Sequence, residues 1–227
     1  MDRFRRFAVY MVPNAGLAAF GAAWLGWDIA TGQTVERPRV NLPRPLDDLT
    51  KAATPYGFHA TIKPPFRLTA GLDQAGLSAA VAELAGRLAP VVLNGLALTD
   101  LDGFLALTPV GDVHGLNALA ATVVRDLDRL RAPASDSELA RRRAVGLTAA
   151  QEANLIRWGY PFVMDEFGFH LTLTGRLSQA EAMATRDVLV PLLAPIPLTP
   201  MVFPDLALVG QTETGWFKLI QRYPLSG

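Results

Sequence analysis

Apolar and polar positions divide the chain into short apolar runs and segments of helical period. Phe7 to Val12 is apolar around Tyr10 and stops at Pro13-Asn14, which predicts a buried strand. Leu17, Phe20, Trp24 and Leu25 then recur near helical spacing, predicting a helix over Ala15 to Leu25. Asp28 to Thr54 has no period and sets Pro38, Pro43 and Pro45 among Arg37, Arg39 and Arg44. It reads as a long loop, a kind of segment that is usually functional or flexible. Helices are expected over Asp73 to Leu88 and His114 to Leu130, stopped by Pro90 and Pro133. Strands are expected over Val91 to Leu101 and Phe104 to Val110, joined by a hairpin at Asp102-Gly103. Ser135/Glu138 and Thr148/Gln151 have capping-box spacing, so Ser135 to Trp158 reads as an inserted helical pair punctuated by Gly146 and Gly159. Ser178/Glu181 starts a further helix to about Val190, before Pro191; Val202 to Val209 and Trp216 to Tyr223 read as closing strands.

Two stretches of the chain echo one another. Tyr56-Gly57-Phe58-His59-Ala60-Thr61-Ile62-Lys63-Pro64-Pro65-Phe66 is answered by Phe167-Gly168-Phe169-His170-Leu171-Thr172-Leu173-Thr174-Gly175. Both contain Gly-Phe-His-x-Thr, and they hold two of the chain's three histidines. In a strand, residues i and i+2 share a face. Alternation therefore places His59, Thr61 and Lys63 on one face of the first strand, and His170, Thr172 and Thr174 on one face of the second. Phe58 and Phe169 have the opposite parity and read as packing. The expectation is that the motifs lie on adjacent central strands with both imidazoles facing one cleft. Around them runs a coarse repeat. Strand, helix, motif strand, helix, strand (7 to 101) is followed by the same order (104 to 209), with the insert interrupting the second copy.

The paired motifs resemble the two-histidine (2H) phosphoesterase superfamily. More narrowly, His-Ala-Thr-Ile-Lys-Pro-Pro-Phe with a later Phe-His-Leu-Thr-Leu-Thr-Gly is similar to a branch of it whose genes accompany carbon–phosphorus lyase genes. The resemblance covers nearly the whole chain. It implies two lobes facing each other with one motif apiece, and a place in phosphonate catabolism. That pathway produces a ribose 1,2-cyclic phosphate carrying a 5-phosphate. The expected fold is therefore α+β: two pseudo-symmetric lobes with antiparallel sheets forming a central cleft, helices outside and a helical insert in the second lobe. One bilobal domain would span 1–227, with lobes near 1–101 and 102–227 and the insert at 135–158.

Composition narrows the chemistry. The chain has 227 residues, half of them hydrophobic, enough for a sizeable core. Lys plus Arg equals Asp plus Glu at 21 each, so no basic excess suggests a long nucleic-acid partner. A small phosphorylated substrate is expected instead. The chain lacks cysteine, which excludes disulfides, thiolate metal sites and cysteine nucleophiles. The apolar stretch from Gly16 to Gly26 is too short and too interrupted to span a bilayer, and no signal-peptide order precedes it. A soluble, cytoplasmic protein without membrane contact is expected, its oligomeric state open.

Opening a cyclic phosphodiester needs one proton removed from water and one given to the leaving oxygen. Two imidazoles, which ordinarily titrate near pH ~6.5, can do both without a metal or cofactor. His59 and His170 are thus the candidate catalytic pair, in roles that the residues leave open. Thr61 and Thr172 are candidate donors to the phosphate oxygens. Lys63, Thr174, Tyr56, Arg67 and Arg176 are further candidate substrate contacts, the arginines because a guanidinium can meet a phosphate bidentately. His114, two residues after Asp112, reads as a local helix cap. Arg141-Arg142-Arg143 is a solvated face or a lid that attracts anions. Rival readings are a non-catalytic module that binds a phosphorylated ligand or RNA end, and a metal-dependent hydrolase.

Overall fold

The computed structural model describes residues 4–227. The first half runs β1 (Arg6–Met11), α1 (Ala15–Leu25), β2 (Trp27–Asp28), β3 (Gln33–Thr34), α2 (Leu46–Thr50), β4 (Ala60–Phe66), α3 (Gln74–Ala85), β5 (Val91–Leu93) and β6 (Gly95–Asp100). The second runs β7 (Leu105–Val110), α4 (His114–Asp126), α5 (Asp136–Arg143), α6 (Ala149–Trp158), β8 (Leu171–Thr172), α7 (Gln179–Leu193), β9 (Met201–Phe203), β10 (Asp205–Gln211) and β11 (Phe217–Pro224). This is a mixed α+β fold with antiparallel sheets.

Local chemistry explains most boundaries. All three capping boxes form at Ser135, Thr148 and Ser178, each hydroxyl accepting from the backbone N–H three residues on. Asp102 and Gly103 both take positive φ, 49° and 100°, as a tight hairpin turn requires. The expected 28–54 loop carries more structure than its prolines suggest. It holds the β2–β3 ribbon and α2, and Arg37 ties it down by donating to the carbonyls of Trp24 and Leu25 at the end of α1. The helix expected to reach Leu130 ends at Asp126, followed by a single 3₁₀ turn. α7 does not stop before Pro191 but continues to Leu193, with the proline in its last turn.

The repeat is visible in the sheets, with one exchange. The larger sheet has order β11-β10-β1-β4 and the smaller β6-β7-β8. In each, the first strand of one half is central. Its own motif strand lies on one side, and the last strand of the other half lies on the opposite side. The expected lobe boundary at 101/102 therefore does not divide the sheets, because β6 joins the second and β10 and β11 join the first. The motif strands are likewise not adjacent central strands. β4 and β8 are the edges of separate sheets, since each half pairs its motif strand with its own first strand.

β1 decides what each face of the larger sheet carries. Its register with β10 is regular, so Arg6, Ala8 and Tyr10 share one face. Phe7, Val9 and Met11 share the other, in an apolar core that runs through both halves. α3 packs on β10 and β11, and α4 on β4. The opposite face has a second, smaller core of Ala8, Tyr10, Val12, Trp27, Ile29, Ala207, Val209 and Phe217.

Candidate active site

Each motif is built the same way around its histidine. Gly57 ends a 3₁₀ turn (Thr54–Tyr56) with φ 72°. A Cβ there would sit 2.6 Å from that of Ile29, so only glycine fits. The Gly57 carbonyl lies 2.9 Å from His59 Nδ1, and the Gly168 carbonyl 2.8 Å from His170 Nδ1. A carbonyl only accepts, so Nδ1 of each neutral ring carries the proton and Nε2 is left as the base. Thr61 Oγ1 lies 3.0 Å from His59 Nε2 and donates to it. Among the described residues His170 Nε2 has no such bond. Its ring packs edge-on against Phe104, 5.8 Å between centroids.

Tyr10 lies cross-strand from Thr61, and Ala106 lies cross-strand from Thr172. The two positions correspond in the repeat, and their difference separates the two histidines. The Tyr10 ring stacks on His59 at 3.6 Å and 20°. Burial there pushes the His59 pKa down to about 4; the Gly57 bond opposes this and the nearby His170 charge adds to it. His59 is therefore neutral at pH 7. Tyr10 itself is fully buried, its Oη has no hydrogen-bond partner, and burial first, then Tyr56, raises its pKa well above the usual phenol value.

An open pocket of about 220 Å³ is lined by Tyr56, Gly57, His59, Thr61, Thr172 and Thr174 with Ala52 and Ala53. That is below the ~300–1,000 Å³ of drug-sized ligand sites and suits a small substrate. His170 lies outside the lining, near enough for its charge to act on His59. Tyr56, 37% exposed, stacks on Phe217 at 5.1 Å. Thr174 lines the pocket, but its backbone leaves the strand early. The N–H groups of Leu173 and Thr174 both donate to Leu105 O, and the Thr174 hydroxyl, 1% exposed as a residue, accepts from Leu105 N.

Three candidates fall elsewhere. Lys63 does not share a face with His59 and Thr61. Tyr10 pairs with Thr61 but Val9 with Lys63, so Ile62 is an extra, bulged residue that turns Lys63 to the core face. There Lys63 is 2% exposed, donates to Val124 O at 3.0 Å, lies 3.6 Å from Asp128 and sits over the Phe66 ring. Burial lowers its pKa to about 8, partly offset by Asp128. Arg67 turns to Glu138 at 3.0 Å and to Pro133 O. Arg176 is exposed outside the pocket, where its carbonyl accepts from Arg44. His114 is not itself the cap expected of it: it is the first residue of α4 behind Val113, and its backbone N–H donates to Asp112 Oδ1. Sequence reasoning missed Tyr10, which alternation assigns only to a buried strand. It also missed Tyr160, over whose ring the Arg142 guanidinium lies at 4.4 Å. The larger groove between β5 and α4 has Asp112 as its single titratable lining residue. Among the described residues no group of three or more His, Asp or Glu is placed to hold a metal ion, and no helix is long and apolar enough to cross a membrane.

A family model described as a protein of unknown function, DUF1045, matches residues 61–218. The chain belongs to the DUF1045 family. Two curated relatives carry the name ribose 1,5-bisphosphate phosphokinase PhnN. The protein from Janthinobacterium sp. (strain Marseille) is 35% identical over 239 residues, covering 100% of this chain and 52% of that protein. The one from Laribacter hongkongensis (strain HLHK9) is 35% identical over 178 residues, covering 78% of this chain and 41% of that protein. The DUF1045 chain thus spans about half or less of these relatives. Among solved structures, one titled a phosphoesterase aligns over 99% of this chain and 100% of its own, with 16% identity and TM-score 0.47. E. coli LigT complexed with 3'-AMP aligns over 99% and 100%, with 15% identity and TM-score 0.45.

Proposed function

We propose that this DUF1045 protein is a metal-independent phosphoesterase of the two-histidine type that hydrolyses a small cyclic phosphodiester. The observation that carries this reading is the matched pair of His-x-Thr units. Each has Nδ1 held by the carbonyl two residues back, and the threonines of both line one pocket. Such a pair offers two proton-transfer groups and two hydroxyl donors, with His59 and both hydroxyls facing a pocket of about 220 Å³.

The different surroundings of the histidines divide the work. His59, neutral down to about pH 4, is the base. Its Nε2 takes a proton from the water whose oxygen bonds to phosphorus. His170, in its protonated form, gives a proton to the ring oxygen as the P–O bond breaks. Thr61 releases its bond to His59 and donates, with Thr172, to the equatorial oxygens where charge builds. Proton exchange with solvent then resets both rings.

The finer substrate assignment rests on chemistry shared with the relatives. Opening a 5-phosphoribosyl 1,2-cyclic phosphate at the bond from phosphorus to O2 leaves ribose 1,5-bisphosphate. That is the compound in the relatives' printed name. This chain has no Gly-Lys pair and hence no phosphate loop of the GxxxxGK[ST] kind. The phosphokinase name then describes the part of those proteins outside the match, and this chain supplies that part's substrate by hydrolysis.

The test is a panel of cyclic phosphodiesters, pentose and nucleoside, assayed with chelator present. His59→Ala and His170→Ala should each lower kcat by roughly 10²–10⁴ while phosphate ligands still bind. Ligand binding by the unaltered protein without turnover of any cyclic phosphodiester would leave a binding module instead. Activity lost on chelation and restored by one divalent ion would favour a metal-dependent hydrolase.

A further inference from the structure

Two arginines, Arg6 and Arg142, lack the carboxylate partner that Arg67 and Arg143 have. Arg6 shares the β1 face with Tyr10, is half-buried, and donates from Nε to Gln211 at 2.7 Å. Arg142, on the insert helix α5, is half-buried with its guanidinium over Tyr160. Its neighbour Arg143 turns away to Glu152 at 2.6 Å, and Arg141 is exposed. The nearest acid on the same helix, Glu138, is taken by Arg67 and by the Ser135 cap. Among the described residues neither Arg6 nor Arg142 has a carboxylate at ion-pair distance.

Their surroundings converge on His59. Burial lowers the Arg142 pKa; Tyr160 and, more weakly, Glu138 oppose this while Arg141 and Arg6 add to it, so the guanidiniums of Arg6 and Arg142 lie within reach of each other's field. Tyr160 is near enough to Arg142 and Tyr56 to feel both, and Tyr10 feels Tyr56, Arg6 and Tyr160. Tyr10 is the ring stacked on His59, and its buried Oη is a donor with nothing to donate to. Like charges drawn together at half-buried positions, beside an unsatisfied phenol, favour an anion as their partner.

We propose that Arg6, Arg142 and the Tyr10 and Tyr160 phenols form a second anion subsite beside the histidine pair, which holds the phosphate monoester of a substrate whose other phosphate is the cyclic diester. This rests on the phosphoesterase reading and deepens it. A monoester fits better than a carboxylate. It carries close to two negative charges to match two guanidiniums, and it has three terminal oxygens to accept from two planar forks and the phenols. The insert then has a specific task, since α5 brings Arg142 to the substrate end that the chemistry does not touch.

Ribose 5-phosphate tests the subsite directly, because it has the monoester and no ring phosphate to open. Calorimetry should show it binding the unaltered protein while ribose does not. Arg6→Gln and Arg142→Gln should each weaken it by roughly 10- to 100-fold, the worth of one charge-assisted hydrogen bond, and Arg142→Lys by less. Tyr10→Phe should also weaken it with no loss in Tm, because the deleted hydroxyl has no partner in the fold. Unchanged affinity in both folded Gln variants overturns the subsite, as does equal binding of ribose and ribose 5-phosphate. The kinetic counterpart is the ratio of kcat/KM for a pentose cyclic phosphate with and without a 5-phosphate. It should exceed one and fall in both Gln variants. Cyclic diesters opened without regard to a second phosphate would sink the subsite and leave the phosphoesterase. Arginine-dependent ribose 5-phosphate binding with no cyclic diester opened would do the reverse.

Discussion

His59 should titrate well below the ordinary imidazole range, which ties the stability of the fold to pH. In the unfolded chain its ring takes a proton at the ordinary pKa near ~6.5. In the folded protein the Tyr10 ring and the surrounding burial delay this to about 4. Between these values the unfolded chain binds the proton and the folded one does not, so acid favours unfolding. The contribution is intact above the unfolded pKa and is lost as pH falls through the folded one. Two and a half pH units at about 1.36 kcal/mol each come to about 3 kcal/mol, a large share of a typical domain's stability of ~5–15 kcal/mol. With only three histidines in the chain, the imidazole proton NMR resonances are few enough to follow individually. One should titrate near 4 and vanish in His59→Gln. In Tyr10→Leu, which removes the stacked ring, it should move upward. Urea unfolding across the same pH range should show His59→Gln losing less stability than the unaltered protein, by about 3 kcal/mol. A His59 resonance titrating in the usual range, or equal acid sensitivity in both proteins, would refute this account of His59.

The threonines should act in turnover more than in folding: Thr61→Val and Thr172→Val should each cost on the order of 1–3 kcal/mol in kcat/KM, with Tm nearly unchanged. Lys63→Met should keep kcat/KM within about twofold and be neutral or stabilising by roughly 1–3 kcal/mol in urea; a tenfold loss of activity would return Lys63 to the site. Because burial lowers the Lys63 pKa to about 8, the unaltered protein should gain stability as pH rises from there toward the ordinary lysine value, and Lys63→Met should lose that slope. Losing both histidines should cost less than the product of the single losses, read as kcat of His59→Ala/His170→Ala, because the two act as a unit.

Features written in local chemistry were legible from the chain. The capping boxes at Ser135, Thr148 and Ser178, the Asp102-Gly103 turn and the doubled order of strands and helices each depend on residues close in sequence. Face assignments held only as far as the strand was regular. One bulged residue, Ile62, turns Lys63 to the opposite face, a second register shift before Phe66 turns the strand back, and alternation cannot register insertions that lie in the pairing with β1. Pro64-Pro65, two residues without an N–H to give to a ladder, was the available hint of an irregular edge strand. Thr174 departed for a similar reason, its strand ending where Leu105 captures the backbone. Tyr10 and Arg142 stayed hidden because their partners come from other elements. No spacing within Phe7 to Val12 announces a histidine from just before β4, and nothing in three consecutive arginines says which one turns inward.

The exchange of last strands between the halves also sets an order of events during synthesis. Arg6 and Gln211, which face each other across β1 and β10, are 205 residues apart. At a translation rate of ~5–20 residues per second, the first strand waits roughly 10–40 s for that neighbour. Through that interval β1 can pair with β4 on one side only, and its other edge is open to strands from other chains. Non-local pairing of this kind is intrinsically slow to form. A nascent chain stalled before β10 therefore carries both residues of the first motif, yet lacks the strand that closes the sheet beneath them.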